Sequence, residues 1–342
     1  TKKSIEGAVS LDNRGSESSG PNQLLLEATV NDVYKYLFST TVRFATVPNN
    51  AEELKYLQLH HEQVLNGEGL KLALDFSKTD SEPDGFTFRS FEVETAGHSG
   101  GISLSYPVIR SREENFFVSG SYTARTSDTL QFGVIDARDK LRIFRFSGNY
   151  DRSDTFLGGG ISLLSTTLSL GADIFDAQVE SRAASEPAFE HLQFQVRRIQ
   201  QINDKWTMDL RSQGQWANKT LPSAEQFGLG GEQTVRGYEP SEWTGDSAFT
   251  ASAELRYEVP DIDWEGSMQL YGFYDWGKIW RENKANLPLI EKNIIRDSAG
   301  FGTRLNFPND IAVNFEIARP FDEYANGDDN DFELYGRVSM QF

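Results

Sequence analysis

Length, composition and charge exclude several classes of protein. The chain has 342 residues, with 51 Asp and Glu against 33 Lys and Arg, so its formal charge is −18. A nucleic-acid binder needs a basic surface to neutralise phosphate, and this balance argues against one. The absence of cysteine excludes disulfide frameworks, Cys-ligated zinc, iron–sulfur clusters and thiol nucleophiles.

The distribution of apolar residues points to a membrane protein that crosses lipid with strands. No run of about 18 apolar residues is present, so no transmembrane helix is predicted, yet aromatic residues reach 12%. Alternating segments divide the sequence into about sixteen predicted strands, and an even number suits a closed antiparallel barrel. In chain order they are residues 4–11, 22–31, 37–47, 53–65, 69–77, 98–107, 114–125, 138–151, 156–169, 188–199, 204–217, 247–259, 264–275, 294–306, 310–318 and 332–342.

The predicted connections alternate in length along the chain. Longer ones fall near 78–97, 126–137, 170–187, 218–246, 276–293 and 319–331, and shorter ones near 108–113, 152–155, 200–203, 260–263 and 307–309. Outer-membrane barrels have short periplasmic turns and longer extracellular loops, so both chain termini are predicted to be periplasmic.

The alternation is clearest in the last third of the chain. In the strand 247–259, Phe249 and Leu255 share one face while Glu254 and Arg256 share the other. A soluble β-sandwich or propeller also alternates, and it is the competing interpretation. Charged residues in the middle of strands, aromatic residues near strand ends and the final Phe342 favour a membrane barrel.

Three motifs mark the chain. Residues 11–20 read Leu-Asp-Asn-Arg-Gly-Ser-Glu-Ser-Ser-Gly. The longest predicted loop, 218–246, contains Leu-Pro-Ser-Ala-Glu-Gln-Phe-Gly-Leu-Gly-Gly at 221–231, then Val-Arg-Gly-Tyr at 235–238 and Gly-Asp at 245–246. A later strand carries Phe273, Asp275 and Gly277 at alternate positions. Because Leu270 and Tyr274 are assigned to the lipid face, strand parity places Asp275 in the lumen.

These motifs resemble the superfamily that holds the two-partner-secretion transporters (TpsB proteins) and the BamA insertase. The segments 11–20 and 221–227 are similar to TpsB barrels in particular. The resemblance implies that the long loop folds back into the barrel, so that its arginine meets the aspartate of the strand motif. It assigns a gating role to Val235, Arg236, Gly237 and Tyr238, and it assigns the matching wall position to Phe273, Asp275 and Gly277.

The resemblance also sets expectations for the ends of the chain and for the strength of the ion pair. A terminal Phe after alternating apolar residues is similar to the signal that marks outer-membrane barrels for insertion, which gives Phe342 that role. Upstream periplasmic POTRA domains are expected before residue 1, with residues 1–342 forming the translocator barrel. Because the lumen is wet, we expect the Arg236–Asp275 pair to stabilise the loop by about 1 kcal/mol or less. The alternative is that both are ordinary solvated charges.

By this resemblance the protein exports one large TpsA-type exoprotein, an adhesin, haemolysin or contact-dependent inhibition toxin, across a Gram-negative outer membrane. The expected surroundings are the lipid bilayer and lipopolysaccharide, with barrel assembly machinery acting during biogenesis. The protein is expected to be a monomer, with no enzymatic activity, metal, cofactor or nucleic acid.

Other functions remain open at this point. One alternative is an insertase, which needs an openable seam between the first and last strands, and another is a passive porin. An outer-membrane esterase is the weakest alternative: Gly-His-Ser-Gly-Gly at 97–101 matches a nucleophile elbow by letters, but the sequence continues as a strand after Ser99 rather than as a turn and helix.

Overall fold

The computed structural model describes residues 3–32, 34–260, 262, 265–282, 293–324 and 331–342. Within them sixteen antiparallel strands close into one barrel, which confirms the predicted all-β class and strand number. The barrel strands are β1 (Ile5–Asp12), β2 (Gln23–Asp32), β3 (Phe38–Thr46), β4 (Lys55–Val64), β5 (Lys71–Ser81), β6 (Glu94–Arg110), β7 (Glu114–Gln131), β8 (Val134–Asp154), β9 (Gly160–Gly171), β10 (Glu190–Gln201), β11 (Trp206–Ala217), β14 (Ser247–Glu258), β15 (Ser267–Trp280), β16 (Asn293–Phe307), β17 (Ile311–Pro320) and β18 (Glu333–Gln341).

Each barrel strand pairs with its neighbours in sequence, with two departures. Strand β11 pairs directly with β14, because β12 (Phe227–Leu229) and β13 (Trp243–Gly245) form a separate two-stranded sheet within the long loop. Strand β1 pairs with β18 and closes the barrel. Closure matters because it leaves no strand edge with unpaired backbone groups.

The outer face of the barrel is apolar because side chains alternate across each strand. Phe301 and Leu334 are 65% and 67% exposed and face outward, whereas Glu254 and Asp275 are buried on the inner side. The predicted assignment of Leu270 and Tyr274 to the outer face is confirmed by their exposure. Among the described residues no helix is both long and apolar enough to cross a membrane.

The predicted connection at 126–137 is wrong. Strands β7 and β8 continue through it and meet at a two-residue turn, Phe132-Gly133, where both residues have positive φ. Paired turn residues with positive φ match the twist of a hairpin. The prediction failed because residues 125–131 are mostly Arg, Thr, Ser and Asp, so the apolar alternation that marks a lipid-facing strand is missing there.

Other boundaries move by a few residues. The predicted strand 156–169 begins only at Gly160, because Phe156–Gly158 form a 3₁₀ turn. The predicted loop 78–97 narrows to 82–93 and contains the short helix α1 (Phe86–Ser90). Parts of three predicted connections, residues 261, 263–264, 283–292 and 325–330, lie outside the described residues.

The long loop, residues 218–246, folds into the barrel interior. Leu229, Val235 and Tyr238 from the loop are buried against Ile279 and Ile294, which lie on the inner wall of β15 and β16. The apolar core of the protein therefore lies inside the barrel, where the loop packs on this side and, through Leu221, also against β8.

Candidate functional site

Arg236, near the tip of the long loop, binds Asp275 on β15. Arg236 Nε lies 2.7 Å from Asp275 Oδ2, and Nη2 lies 2.9 Å from Oδ1. The backbone N–H of Arg236 donates to the same carboxylate at 3.2 Å. This two-pronged geometry matches the planar guanidinium to the carboxylate and fixes the loop in one orientation.

Two further carboxylates and an aromatic ring surround Arg236. Its Nη1 donates to Glu254 on β14 at 2.8 Å and to Glu316 on β17 at 3.3 Å. The guanidinium carbon lies 3.4 Å from the centre of the Phe273 ring, a cation–π contact. Phe273 and Asp275 of the strand motif therefore act on the same side chain, one through its ring and the other through its carboxylate.

The expectation of a solvated ion pair is wrong. Arg236 is 4% exposed and Asp275 is 1% exposed, because the loop itself covers them. Glu254 also accepts from Arg256 at 2.7 Å and from Arg304 at 2.9 Å, so positive and negative charges alternate across the wall. Removing one member of such a buried group leaves the others uncompensated, which costs about 3 kcal/mol or more.

Gly277 allows the loop to lie close to the wall. A Cβ atom at Gly277 would lie 2.4 Å from Leu229 Cδ1 and 3.0 Å from Val235 Cγ2. Both side chains are fully buried. The third position of the strand motif therefore makes room for the first position of the loop motif.

The remaining two residues of the loop motif, Gly237 and Tyr238, determine the direction in which the chain continues after Arg236. Gly237 has φ +91°, a conformation that residues with a Cβ rarely adopt, and it lies against Pro320 at the end of β17. The ring of Tyr238 packs edge-on against Trp243, with ring centres 5.1 Å apart. Its hydroxyl donates to the backbone oxygen of Asp297 at 3.2 Å.

The first part of the long loop, before Arg236 in sequence, has a second polar anchor, Glu225. Arg145 on β8 donates to both of its carboxylate oxygens, at 2.8 and 2.9 Å, and His191 Nε2 on β10 lies 3.0 Å from Oε2. Burial by itself raises the pKa of Glu225, but the hydrogen bond with His191 and the charge of Arg145 outweigh it and hold the pKa below its usual value.

The base of the loop is held by Asp246, which is completely buried. Arg182, from the connection between β9 and β10, binds both of its carboxylate oxygens, with Nη2 at 2.9 Å from Oδ2. The backbone N–H groups of Leu221 and Glu282 donate to it at 2.8 and 2.7 Å. Asp246 therefore joins both ends of the loop to its neighbours.

Phe342 lies away from the loop, at the end of β18. It is 63% exposed on the outer face, and its backbone exchanges two hydrogen bonds with Gly7, at 2.9 and 3.0 Å. Its ring covers Gly7, where a Cβ would approach it to 2.4 Å.

The esterase alternative finds no support in the geometry. Ser99 lies within β6, and its hydroxyl is 2.8 Å from that of Ser77 on β5, so it is not at a strand-to-helix turn. Over the described ranges, no three His, Asp or Glu side chains come together in a way that could hold a metal ion.

Sequence reasoning missed several partners. Alternation placed Glu254 on the polar face of its strand, but nothing local indicated that Glu254 and Glu316 converge on Arg236. Glu225 was noticed only as a letter in a motif. Arg145, His191 and Arg182 carried no signal, because they contact the loop across large sequence separations.

Comparison with known proteins identifies a family and several relatives that are transporters. A family model described as haemolysin secretion/activation protein ShlB/FhaC/HecB matches residues 1–303. The heme/hemopexin transporter protein HuxB of Haemophilus influenzae is 21% identical over 335 residues, covering 96% of this chain and 58% of HuxB. The outer membrane transporter CdiB of Dickeya dadantii is 22% identical over 289 residues, covering 81% of this chain and 50% of CdiB. The chain therefore spans little more than half the length of these relatives.

Solved structures share the fold. CdiB from Escherichia coli has a TM-score of 0.85 at 19% identity, covering all of this chain (100%) and 63% of CdiB. BamA from Haemophilus ducreyi, in a form lacking POTRA domains 1–3, has a TM-score of 0.66 at 16% identity, covering 99% of this chain and 70% of that chain. At these identities the likeness concerns the barrel fold alone.

Proposed function

The chain belongs to the haemolysin secretion/activation protein family ShlB/FhaC/HecB, and from this premise we propose that its barrel is the pore through which a large partner exoprotein leaves the cell. The match confirms the resemblance to TpsB transporters that the motifs indicated. The chain is an integral outer-membrane β-barrel. Its passenger is a largely unfolded exoprotein that crosses from periplasm to cell surface. The relatives HuxB and CdiB, which are named as transporters, support a transport function.

The buried Arg236 group is the observation that carries this proposal. It ties a long loop to the lumen side of the wall through one arginine and three carboxylates, beside the apolar contacts of Leu229 and Val235. When the loop leaves, water can solvate each of these charges, so the contact is reversible in a way that a covalent or fully apolar plug is not. A loop held in this manner suits a gate.

The part of the barrel wall formed by β6 to β9, away from the Arg236 site, suits the passage of an extended chain. Register places Ser103, Ser121 and Ser169 on the same inner face as Arg145. Hydroxyl side chains exchange hydrogen bonds readily with backbone amides and with water, so they offer an unfolded segment many weak contacts and no strong one. Because no nucleotide is hydrolysed at the outer membrane, the free energy for export comes from folding of the passenger outside the cell.

Several elements of the proposal concern the whole transporter. The N-terminus of the barrel lies on the periplasmic side, and POTRA domains upstream recognise the passenger. Residues 235–238 gate the pore against residues 273–277, and Phe342 is the signal read by the barrel assembly machinery. The barrel works as a monomer surrounded by lipid and lipopolysaccharide.

The test is secretion by an Arg236→Ala variant. The complete transporter is expressed with the exoprotein encoded beside it, and the passenger is quantified at the surface and in the medium. We expect a barrel that remains heat-modifiable in the membrane, because the sixteen-strand ladder does not depend on Arg236, but export that falls at least tenfold.

Wild-type export by this variant at equal membrane levels would contradict the gating role. An intact wild-type barrel that exports no passenger would instead favour the insertase or porin alternative. Lys is the matched replacement for Arg236, since it keeps the charge but cannot bind Asp275 through two parallel hydrogen bonds.

A further inference from the structure

The first residues of the motif at 11–20 lie at the seam where the barrel closes. Strands β1 and β18 pair over Ala8–Asp12 and Arg337–Gln341, five residues of each strand, and the hydrogen-bonded pair of Gly7 and Phe342 adds one more. The adjoining pairings of β1 with β2 and of β17 with β18 each span eight. The seam is therefore the shortest part of this side of the barrel.

Asn13 extends the seam with its side chain. Its Nδ2 donates to the backbone oxygen of Leu334 at 2.8 Å, and its Oδ1 accepts from the backbone N–H of Gly336 at 2.7 Å. The backbone N–H of Asn13 also donates to Gly336 at 3.3 Å. An amide side chain thus continues the ladder beyond the last paired residue of β1.

Two arginines, one on each side of the seam, turn toward the lumen. Arg337 on β18 binds Asp12 on β1 through Nε at 2.9 Å. Arg14, which follows β1, donates to Glu316 at 3.1 Å, and its guanidinium lies 4.7 Å from the centre of the Tyr335 ring. Only 8% of the Arg14 side chain is exposed.

Both arginines reach the same carboxylate on the long loop. Arg337 donates to the two oxygens of Glu232, at 3.2 and 2.8 Å, and Arg14 Nε lies 4.0 Å from Oε2. Burial by itself raises the pKa of Glu232, but the charges of Arg14 and Arg337 outweigh it and hold the pKa below its usual value. Glu232 lies four residues before Arg236, outside the loop motif.

We propose that Glu232 is a positioning residue that couples the long loop to the β1–β18 seam. Arg337 also binds Asp12 and Arg14 also binds Glu316, so Glu232 is a further carboxylate that the two arginines share. While the loop lies inside the barrel, this shared carboxylate draws the two sides of the seam together. When the loop is withdrawn, these two guanidinium groups lose their shared counter-charge and the seam loosens. The barrel wall then becomes more deformable at the moment when a passenger occupies the lumen.

This inference takes from the proposed function only the premise that the loop moves. The coupling itself is a property of the resting protein, and it is measured without any passenger. Failure of export and failure of coupling are therefore separate results.

The experiment is hydrogen exchange of the full-length transporter in detergent micelles, read by mass spectrometry over hours to days. We compare Glu232→Gln, which keeps the shape but removes the charge, with Glu225→Gln as the matched control on the opposite wall. For Glu232→Gln we expect exchange to rise about threefold or more in β1 and β18 and to stay unchanged in β8 and β10. For Glu225→Gln we expect the reverse pattern.

The result that overturns the proposal is unchanged exchange at β1 and β18 in Glu232→Gln, or an equal rise in every strand.

An engineered disulfide across the seam supplies a second measurement, and it has no competing thiols because the chain has no cysteine. Ser10 and Ser339 are directly paired across the seam, so Ser10→Cys with Ser339→Cys can be oxidised to lock it. In the locked protein the effect of Glu232→Gln on β1 and β18 should disappear, whereas a Ser77→Cys, Ser99→Cys tether elsewhere should leave it intact. An effect that persists with the seam locked also counts against the coupling.

Discussion

At the scale of single residues, the site depends on a glycine as much as on its charges. Arg236 can reach Asp275 only because the loop lies directly on the wall, and Gly277 supplies the necessary space beside Leu229 and Val235. The strand motif thus combines a ring, a carboxylate and a missing side chain at alternate positions. Each of the three faces the lumen by the same parity.

The corresponding prediction concerns Gly277→Ala. The added Cβ overlaps Leu229, so we expect it to push the loop away from the wall at a cost of about 1–3 kcal/mol. A single thiol introduced by Thr234→Cys, which is 9% exposed, should then react with maleimide several times faster. Gly272→Ala on the same strand is the control, because its added Cβ would lie no closer than 3.8 Å to its nearest neighbour, the backbone oxygen of Gly300. Equal labelling rates in the two variants would refute the close-packing role.

At the scale of elements, the loop is held at separate points by different strands. Glu225 binds β8 and β10, Arg236 binds β14, β15 and β17, and Asp246 binds the connection that carries Arg182. These anchors lie on different sides of the lumen, so the loop spans it. Release of the loop therefore requires several polar contacts to break together.

The Glu225 anchor predicts a dependence on pH. Its pKa is lowered below 4.5 in the folded protein, so its contribution to stability is complete above that value and is lost as the pH falls through the lowered pKa. Wild type should therefore exceed Glu225→Gln in unfolding free energy by about 1 kcal/mol at pH 7. The difference should shrink below pH 4, measured from urea midpoints in detergent. A difference that stays constant from pH 7 to pH 3 would exclude the carboxylate as its source.

At the scale of the whole molecule, the barrel depends on joining its two ends. Phe342 covers Gly7, and their backbones form the last hydrogen-bonded pair of the seam. The terminal aromatic residue is therefore placed to serve twice, first as the proposed assembly signal and then as part of the closed wall.

We expect Phe342→Ala to lower the amount of heat-modifiable barrel in the outer membrane severalfold at equal synthesis. It removes both the signal and the contact with Gly7. Phe332→Ala is the matched control, since Phe332 is 59% exposed but precedes β18 at its other end. Similar losses in the two variants would show that general apolar area, rather than the terminal position, is responsible.

The sequence determined the number of strands, the face of the wall on which the residues of its clearly alternating segments lie, and the motifs that meet, because strand alternation has a period of two and is a local property. It misjudged 126–137, where strands outside the lipid need no apolar face. Only the tertiary structure decided that Glu254, Glu316 and Arg145 reach the loop, that the Arg236 site is buried, and that Glu232 contacts the arginines of the seam. Those contacts depend on how strands far apart in sequence are staggered around a closed barrel and on which side chains the inserted loop covers, and neither is encoded in any short stretch of residues.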